Sequence, residues 1–106
     1  MLNKVILMGR LTSDPRLAQT NGGISVASFN IACDRDRGEE TDFFPVVAWR
    51  GAADWAAQWL HKGKLVAIEG RLVNHSYTAK DGTERRETEI SAERLFFTGD
   101  RRNSDG

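Results

Sequence analysis

The stretch Asp42-Phe43-Phe44-Pro45-Val46-Val47-Ala48-Trp49-Arg50 carries large aromatics at both ends and an arginine directly after the second. Flat rings beside guanidinium groups suit a platform for planar, charged polymers, because bases stack on the rings and phosphates meet the arginine. The same residues also suit a core strand, since aromatics are common in strands for packing reasons alone. On this segment both readings stand. Cys33 is the only cysteine, so no internal disulfide forms. It continues a period-two pattern with Ala27, Phe29 and Ile31 and reads as a small buried apolar residue rather than a nucleophile. His61 and His75 have no second ligand at metal spacing, so neither a metal site nor a cofactor is expected. Asp34, Asp36, Glu39, Glu40 and Asp42 crowd one short segment and read as a solvated charge run.

Charge alone argues neither way. The chain has net charge zero and a pI near 6.7, which counts against a binder driven by bulk charge. The relevant quantity is charge on one face. Acidic residues bunch at 34–42 and 84–93, while Arg10, Arg16, Arg50, Lys62, Lys64 and Arg71 lie outside those bunches. With 106 residues, 40% of them hydrophobic, the chain holds one domain with a real core. No apolar run approaches the roughly 20 residues that cross a bilayer. The start, Met1 to Met8, is soon interrupted by Gly9 and Arg10. It reads as a first strand rather than a signal peptide, which points to the cytoplasm.

The elements that position these residues follow from periodicity and turn chemistry. Residues 3–11 read as a strand interrupted by Gly9, where a glycine marks a bulge or bend. Asp14-Pro15 and Thr20-Asn21-Gly22-Gly23 read as turns, residues 24–33 as a cleanly alternating second strand, and 34–40 as a polar loop. Residues 42–50 form the third strand. Pro45 cannot donate to a ladder, so that segment is at an edge, bulged or locally unpaired. Residues 54–62 form the one helix, ending at Gly63, with Trp55 and Trp59 expected to face the core at i, i+4 and Ala56 and Leu60 to share that face. Residues 64–78 and 83–97 make a long hairpin about the turn Ala79-Lys80-Asp81-Gly82. Straight arms of that length overshoot a body this small, so the hairpin bends, protrudes or both, with Gly70 as the bend and Tyr77 near the tip. Residues 99–106 read as a flexible end. The order predicts an all-β fold: a five-stranded OB barrel with one helix between strands three and four and a long hairpin of strands four and five. Such barrels bind single strands or oligosaccharides, and fold does not decide which.

The chain resembles the DNA-binding domain of bacterial single-stranded DNA-binding proteins. The resemblance rests on Asn3-Lys4-Val5-Ile6-Leu7-Met8-Gly9-Arg10-Leu11, Asp14-Pro15, Asn21-Gly22-Gly23 and Val26-Ala27-Ser28-Phe29. It continues through Val46-Val47-Ala48-Trp49-Arg50, Leu60-His61-Lys62-Gly63, Ile68-Glu69-Gly70-Arg71-Leu72, and Tyr77 before Asp81-Gly82. It covers residues 1–97 in unbroken order. It implies sequence-independent binding and protection of single-stranded DNA in replication, recombination and repair, with no enzymatic step. It implies stacking on Phe43, Trp49 and Tyr77. Lys4, Arg10, Arg16, Arg50, Lys62, Lys64 and Arg71 are the candidate phosphate contacts. The family often carries a further tryptophan in the loop after strand two, and here that loop has no aromatic. The resemblance also implies a cytoplasmic, nucleoid-associated homotetramer, a dimer of dimers. Strand one would pair with its copy, and Ile6 and Phe44 are the candidate interface residues. Phe44→Asp is expected to be the cleaner probe of assembly, with Ile6 a possible core residue. Recruitment of replication and repair proteins is expected only if an acidic tip exists beyond this chain.

Two rival readings remain at this point. One is the dimeric OB protein of the primosome, which the aromatic positions fit less well. The other is a metal-dependent OB-fold nuclease, which needs carboxylates arranged around a divalent ion rather than along one loop.

Overall fold

A computed structural model describes residues 1–99; of the flexible end expected over 99–106, all but Gly99 lies outside the described residues. In chain order the elements are β1 (Val5–Leu11), β2 (Arg16–Gln19), β3 (Ser25–Asp34), β4 (Thr41–Trp49), α1 (Gly51–Trp59), β5 (Leu65–Thr78) and β6 (Glu84–Phe97). Five strands close a ring, β1-β5-β6-β4-β3 and back to β1, while β2 joins only β3. With the helix between the third and fourth ring strands in sequence, this is the expected OB arrangement. β2 is an addition to it. All four of its residues are exposed, so it has no alternation to betray it, and only its pairing with β3 defines it as a strand.

One edge of β3 serves two partners. Its first half pairs with β2, from Gln19↔Ser25 to Arg16↔Ser28, and its second half meets β1 at Leu11↔Ile31 and Arg10↔Ala32. The ring's interior follows from strict alternation. Ala27, Phe29 and Ile31 on β3, Val46 and Ala48 on β4, Val66 and Ile68 on β5, and Ile90 and Ala92 on β6 are all buried. Each full-sized apolar side chain removed from water in this way contributes about 1.5–3 kcal/mol. Pro45 sits opposite Asn30, whose carbonyl turns away to accept from the Thr12 N–H at 3.0 Å. The ladder to β3 therefore asks for no donor at Pro45. The pairing with β6 begins one residue later, at Val46↔Ile90, so the proline occupies a locally unpaired position.

The helix is shifted from the expected 54–62 to 51–59. Arg50, at φ 56°, is the one described non-glycine residue with positive φ, and it turns the chain sharply off β4 into the helix. The helix stops when Leu60 takes extended backbone (φ −99°, ψ 148°) and drops its side chain into the core. Gly63 belongs to a separate turn at φ 86°, where its N–H donates to the Leu11 carbonyl at 2.8 Å. The inward stripe differs from expectation in part, since Ala56 and Leu60 face in and Trp59 does not. Ala53 and Ala56 fill the barrel mouth with Leu60 below them, because the helix lies too close for larger groups. Trp55 is half-buried and packs against the core as expected, whereas Trp59 is 49% exposed. Both lie against Phe97, at ring-centroid distances of 4.8 and 6.3 Å.

Two glycines permit closure. A Cβ on Gly9 would lie 2.7 Å from the Ala32 carbonyl oxygen and 2.8 Å from Cys33 Sγ. A Cβ on Gly70 would collide with the Ser91 carbonyl, and the β5–β6 register slips between Glu69 and Gly70 as a bulge. Beyond that bulge the hairpin both bends and projects. Its outer arms are exposed, and the radius of gyration is 14.5 Å against about 13 Å for a chain this size. At the tip the Gly82 N–H donates to Ala79 and the Ala79 N–H to Thr83, both at 2.9 Å.

Candidate nucleic-acid interface

The parity that sends Val46 and Ala48 inward sends Phe43, Pro45, Val47 and Trp49 outward. Phe43 is 64% exposed and Trp49 is 46% exposed. They stand six residues apart on one strand, about 20 Å at 3.3 Å per residue. Cross-strand pairing then builds a row between them. Arg16 on β2 lies opposite Ser28, Ser28 opposite Val47, Val47 opposite Ser91, and Ser91 opposite Arg71 on β5. The outward face thus has arginines at both ends, small residues in the middle, and an exposed ring on either side along β4. A groove of about 470 Å³ follows this face, floored by Ser28, Pro45 and Val47 and walled by Glu87 and Glu89 of β6. A second, of about 520 Å³, lies between Phe43, Arg10, Met8 and Leu65.

Tyr77 sits on the projecting hairpin, 44% exposed, on the same strand face as Arg71. Its ring stacks beside that of His75, centroids 6.2 Å apart and planes 19° off parallel. The sequence reading did not single out His75 beside Tyr77, although its i−2 spacing was the available signal.

The seven candidate cations divide by what they already hold. Arg16, Arg50, Lys62 and Arg71 are exposed, with no side-chain ion pair among the described residues. Lys4 pairs with Glu69 at 3.6 Å. Arg10 donates to the Gly63 carbonyl at 3.0 Å, and Lys64 stands 5.5 Å over the Phe97 ring. These three already hold contacts within the fold, and of the other four Arg16 and Arg71 stand at the two ends of the outward row.

The loop before β4 is ordered by its own charges. Arg35 donates to both carboxylate oxygens of Asp42, at 3.1 and 3.0 Å, and pairs with Glu40 at 2.6 Å; Thr41 donates to Asp34 at 2.8 Å. The Arg35 hydrogen bond holds the Asp42 carboxyl below its ordinary range. This clamp fixes the strand immediately before Phe43. Cys33 is half-buried rather than fully buried, and its thiol donates to the Met8 carbonyl at 3.4 Å. Burial, then the charges of Asp42 and Asp34, push that thiol's pKa up, away from nucleophilic use.

The two interface candidates exchange roles. Ile6 is not core: it is 73% exposed, next to exposed Met8 on the outward side of β1. Phe44 is half-buried, packed against the core opposite Ile31, so it is no clean probe of assembly.

Residues 2–98 match the single-strand binding protein family. The chain is 48% identical over 101 residues to single-stranded DNA-binding protein 3 of Clostridium acetobutylicum, covering 91% of this chain and 70% of that one. It is 46% identical over 101 residues to the single-stranded DNA-binding protein of Clostridium tetani, with the same coverage. A third relative, single-stranded DNA-binding protein 2 of Clostridium acetobutylicum, is 44% identical over 101 residues, covering 91% of this chain and 76% of its own.

Proposed function

We propose, since the chain belongs to the single-strand binding protein family, that it binds and protects single-stranded DNA without sequence preference in replication, recombination and repair. The observation that carries this reading is the outward row from Arg16 to Arg71, flanked along β4 by exposed Phe43 and Trp49. Every base has a π-face, so stacking on Phe43, Trp49 and Tyr77 is indifferent to sequence. Arg16, Arg50, Lys62 and Arg71 meet phosphates. The row's middle residues, Ser28, Val47 and Ser91, are small enough to let a strand lie close. Function is contact alone, with no bond made or broken, and the protein works among the DNA of the cytoplasm.

Assembly follows from β1. Residues 5–9 pair with β5 on one side, while β1 meets β3 only at residues 10 and 11. The other edge of residues 5–7 therefore has no strand partner among the described residues, and beside it Ile6, Met8 and Phe96 expose an apolar face. Pairing of two β1 edges about a two-fold axis removes both liabilities. Packing of two such dimers on the apolar face gives a tetramer, around which DNA wraps.

The test is a titration of oligo(dT) followed by tryptophan fluorescence, with a duplex of equal length in parallel and the mass measured by sedimentation. Tight oligo(dT) binding by a tetramer, with duplex binding far weaker, is expected. Equal affinity for duplex and single strand defeats the reading. A stable dimer that binds favours the primosomal alternative, and Mg²⁺-dependent digestion of the oligonucleotide favours the nuclease.

A further inference from the structure

We propose that His75 contacts single-stranded DNA beside Tyr77 and makes the affinity pH-dependent, tightening as the pH falls from 8 to 6. The inference rests on the single-stranded-DNA reading and extends it to a residue outside the stacking set. His75 is exposed, two residues before Tyr77 on the same face of β5, with the two rings nearly parallel at 6.2 Å. A base stacked at Tyr77 therefore brings its phosphate, or its neighbouring base, to the imidazole.

The charges around His75 give its protonation a large effect. Across the hairpin Glu87 lies directly opposite it, Glu89 lies opposite Val73, and Arg85 lies opposite Tyr77. Arg85 is drawn toward the turn, within 3.7 Å of Asp81 and 3.3 Å of Thr83 Oγ1. Glu87 and Glu89 also wall the groove that Asp14 and Arg16 line from the other side. With Arg85 held by Asp81, Glu87 and Glu89 leave this stretch of hairpin negative where a polyanion must pass. An imidazolium at His75 offsets part of that charge. Histidine is the side chain whose charge changes between about pH 5 and 8, and a nearby phosphate favours its protonated form. Binding thus takes up a proton, and linkage requires affinity to rise as pH falls.

The experiment measures the Kd for labelled oligo(dT) by anisotropy at pH 6, 7 and 8 and constant ionic strength. The unmodified chain is compared with His75→Gln, His75→Arg and His61→Gln. His61 is the other histidine, and its ring contacts the Lys62 carbonyl. The unmodified chain and His61→Gln are expected to bind about three- to tenfold tighter at pH 6 than at pH 8. His75→Gln is expected to be flat at the weaker level and His75→Arg flat at the tighter one. A pH dependence that survives in His75→Gln, or none in the unmodified chain, overturns the inference while leaving DNA binding intact. Absence of binding at every pH defeats the functional reading itself.

Discussion

Replacing Trp49 by alanine separates a binding ring from a structural one. Its ring is 46% exposed, and its outward cross-strand neighbour on β3 is Val26, not a core residue. A cross-strand pair on a half-open face contributes about 0.2–1 kcal/mol, so unfolding should cost at most about 1 kcal/mol less. For a domain of this size that lowers Tm by no more than about 8 °C. Loss of one base–aromatic stack weakens binding by about 1–3 kcal/mol, or roughly 5- to 150-fold in Kd. The two effects are read independently, stability by circular dichroism and affinity by anisotropy of a labelled oligo(dT). Anisotropy is needed because the mutation removes one of the three tryptophans. The contrast is Ile68→Ala, at a position only 1% exposed, which should lose about 2–5 kcal/mol of stability and leave the affinity of the folded fraction unchanged. If Trp49→Ala melted like Ile68→Ala and kept full affinity, the β4 platform would be wrong.

Three further outcomes test other parts of the molecule. Arg71→Gln removes one end of the cationic row and should flatten the slope of log K against log salt by about 0.7, whereas Lys4→Gln, already paired with Glu69, should change it far less. Ile6→Lys places a charge in the proposed dimer edge opposite Glu69, which accommodates it within one barrel; sedimentation should show tetramers lost with the melting of the fold preserved, and an unchanged mass would refute the β1 contact. Gly70→Ala drives a Cβ into the backbone of Ser91 and should cost about 3 kcal/mol or more, seen as a Tm fall of at least about 12 °C. Gly22→Ala, whose nearest neighbour is Thr20 Oγ1 at 3.9 Å, should change little, and equal melting of the two variants would contradict the bulge.

The sequence made the barrel legible where one side of a strand is buried and the other is not. β3 and β4 alternate strictly, so the outward placement of Phe43 and Trp49 follows from parity once Val46 and Ala48 are known to be inside. Gly70 was legible because a glycine in a long strand signals close approach. β1 was less so: Val5, Ile6, Leu7 and Met8 are apolar on both faces, so parity alone could not say which faced in. The register with Glu69 and Ala67, and the tight approach of Gly9 to Ala32, decide it. β2 was invisible because it is exposed throughout. The helix was misplaced because Gly63, a sound stop signal, belongs to the next turn. Trp59 was misassigned because helical spacing shows which residues share a face, not how much room the barrel mouth leaves.

The division of one β3 edge between two partners governs how the protein comes apart. The ring is closed between β1 and β3 at only two register positions, whereas β5 and β6 zip together from Thr78↔Glu84 to Val66↔Phe97. The hairpin is local in sequence and needs only a short turn to form. The seam needs strands some twenty residues apart, with β2 lying between them in the chain. Folding should therefore begin in the β5–β6 arms, and native-state openings should begin at the seam, which so few register positions hold. The amide of Thr12, which bonds to the Asn30 carbonyl beside this junction, should exchange with solvent deuterium sooner than those of Val66 or Ile68. A barrel fastened in this way can loosen at one clasp while its longest ladder stays shut.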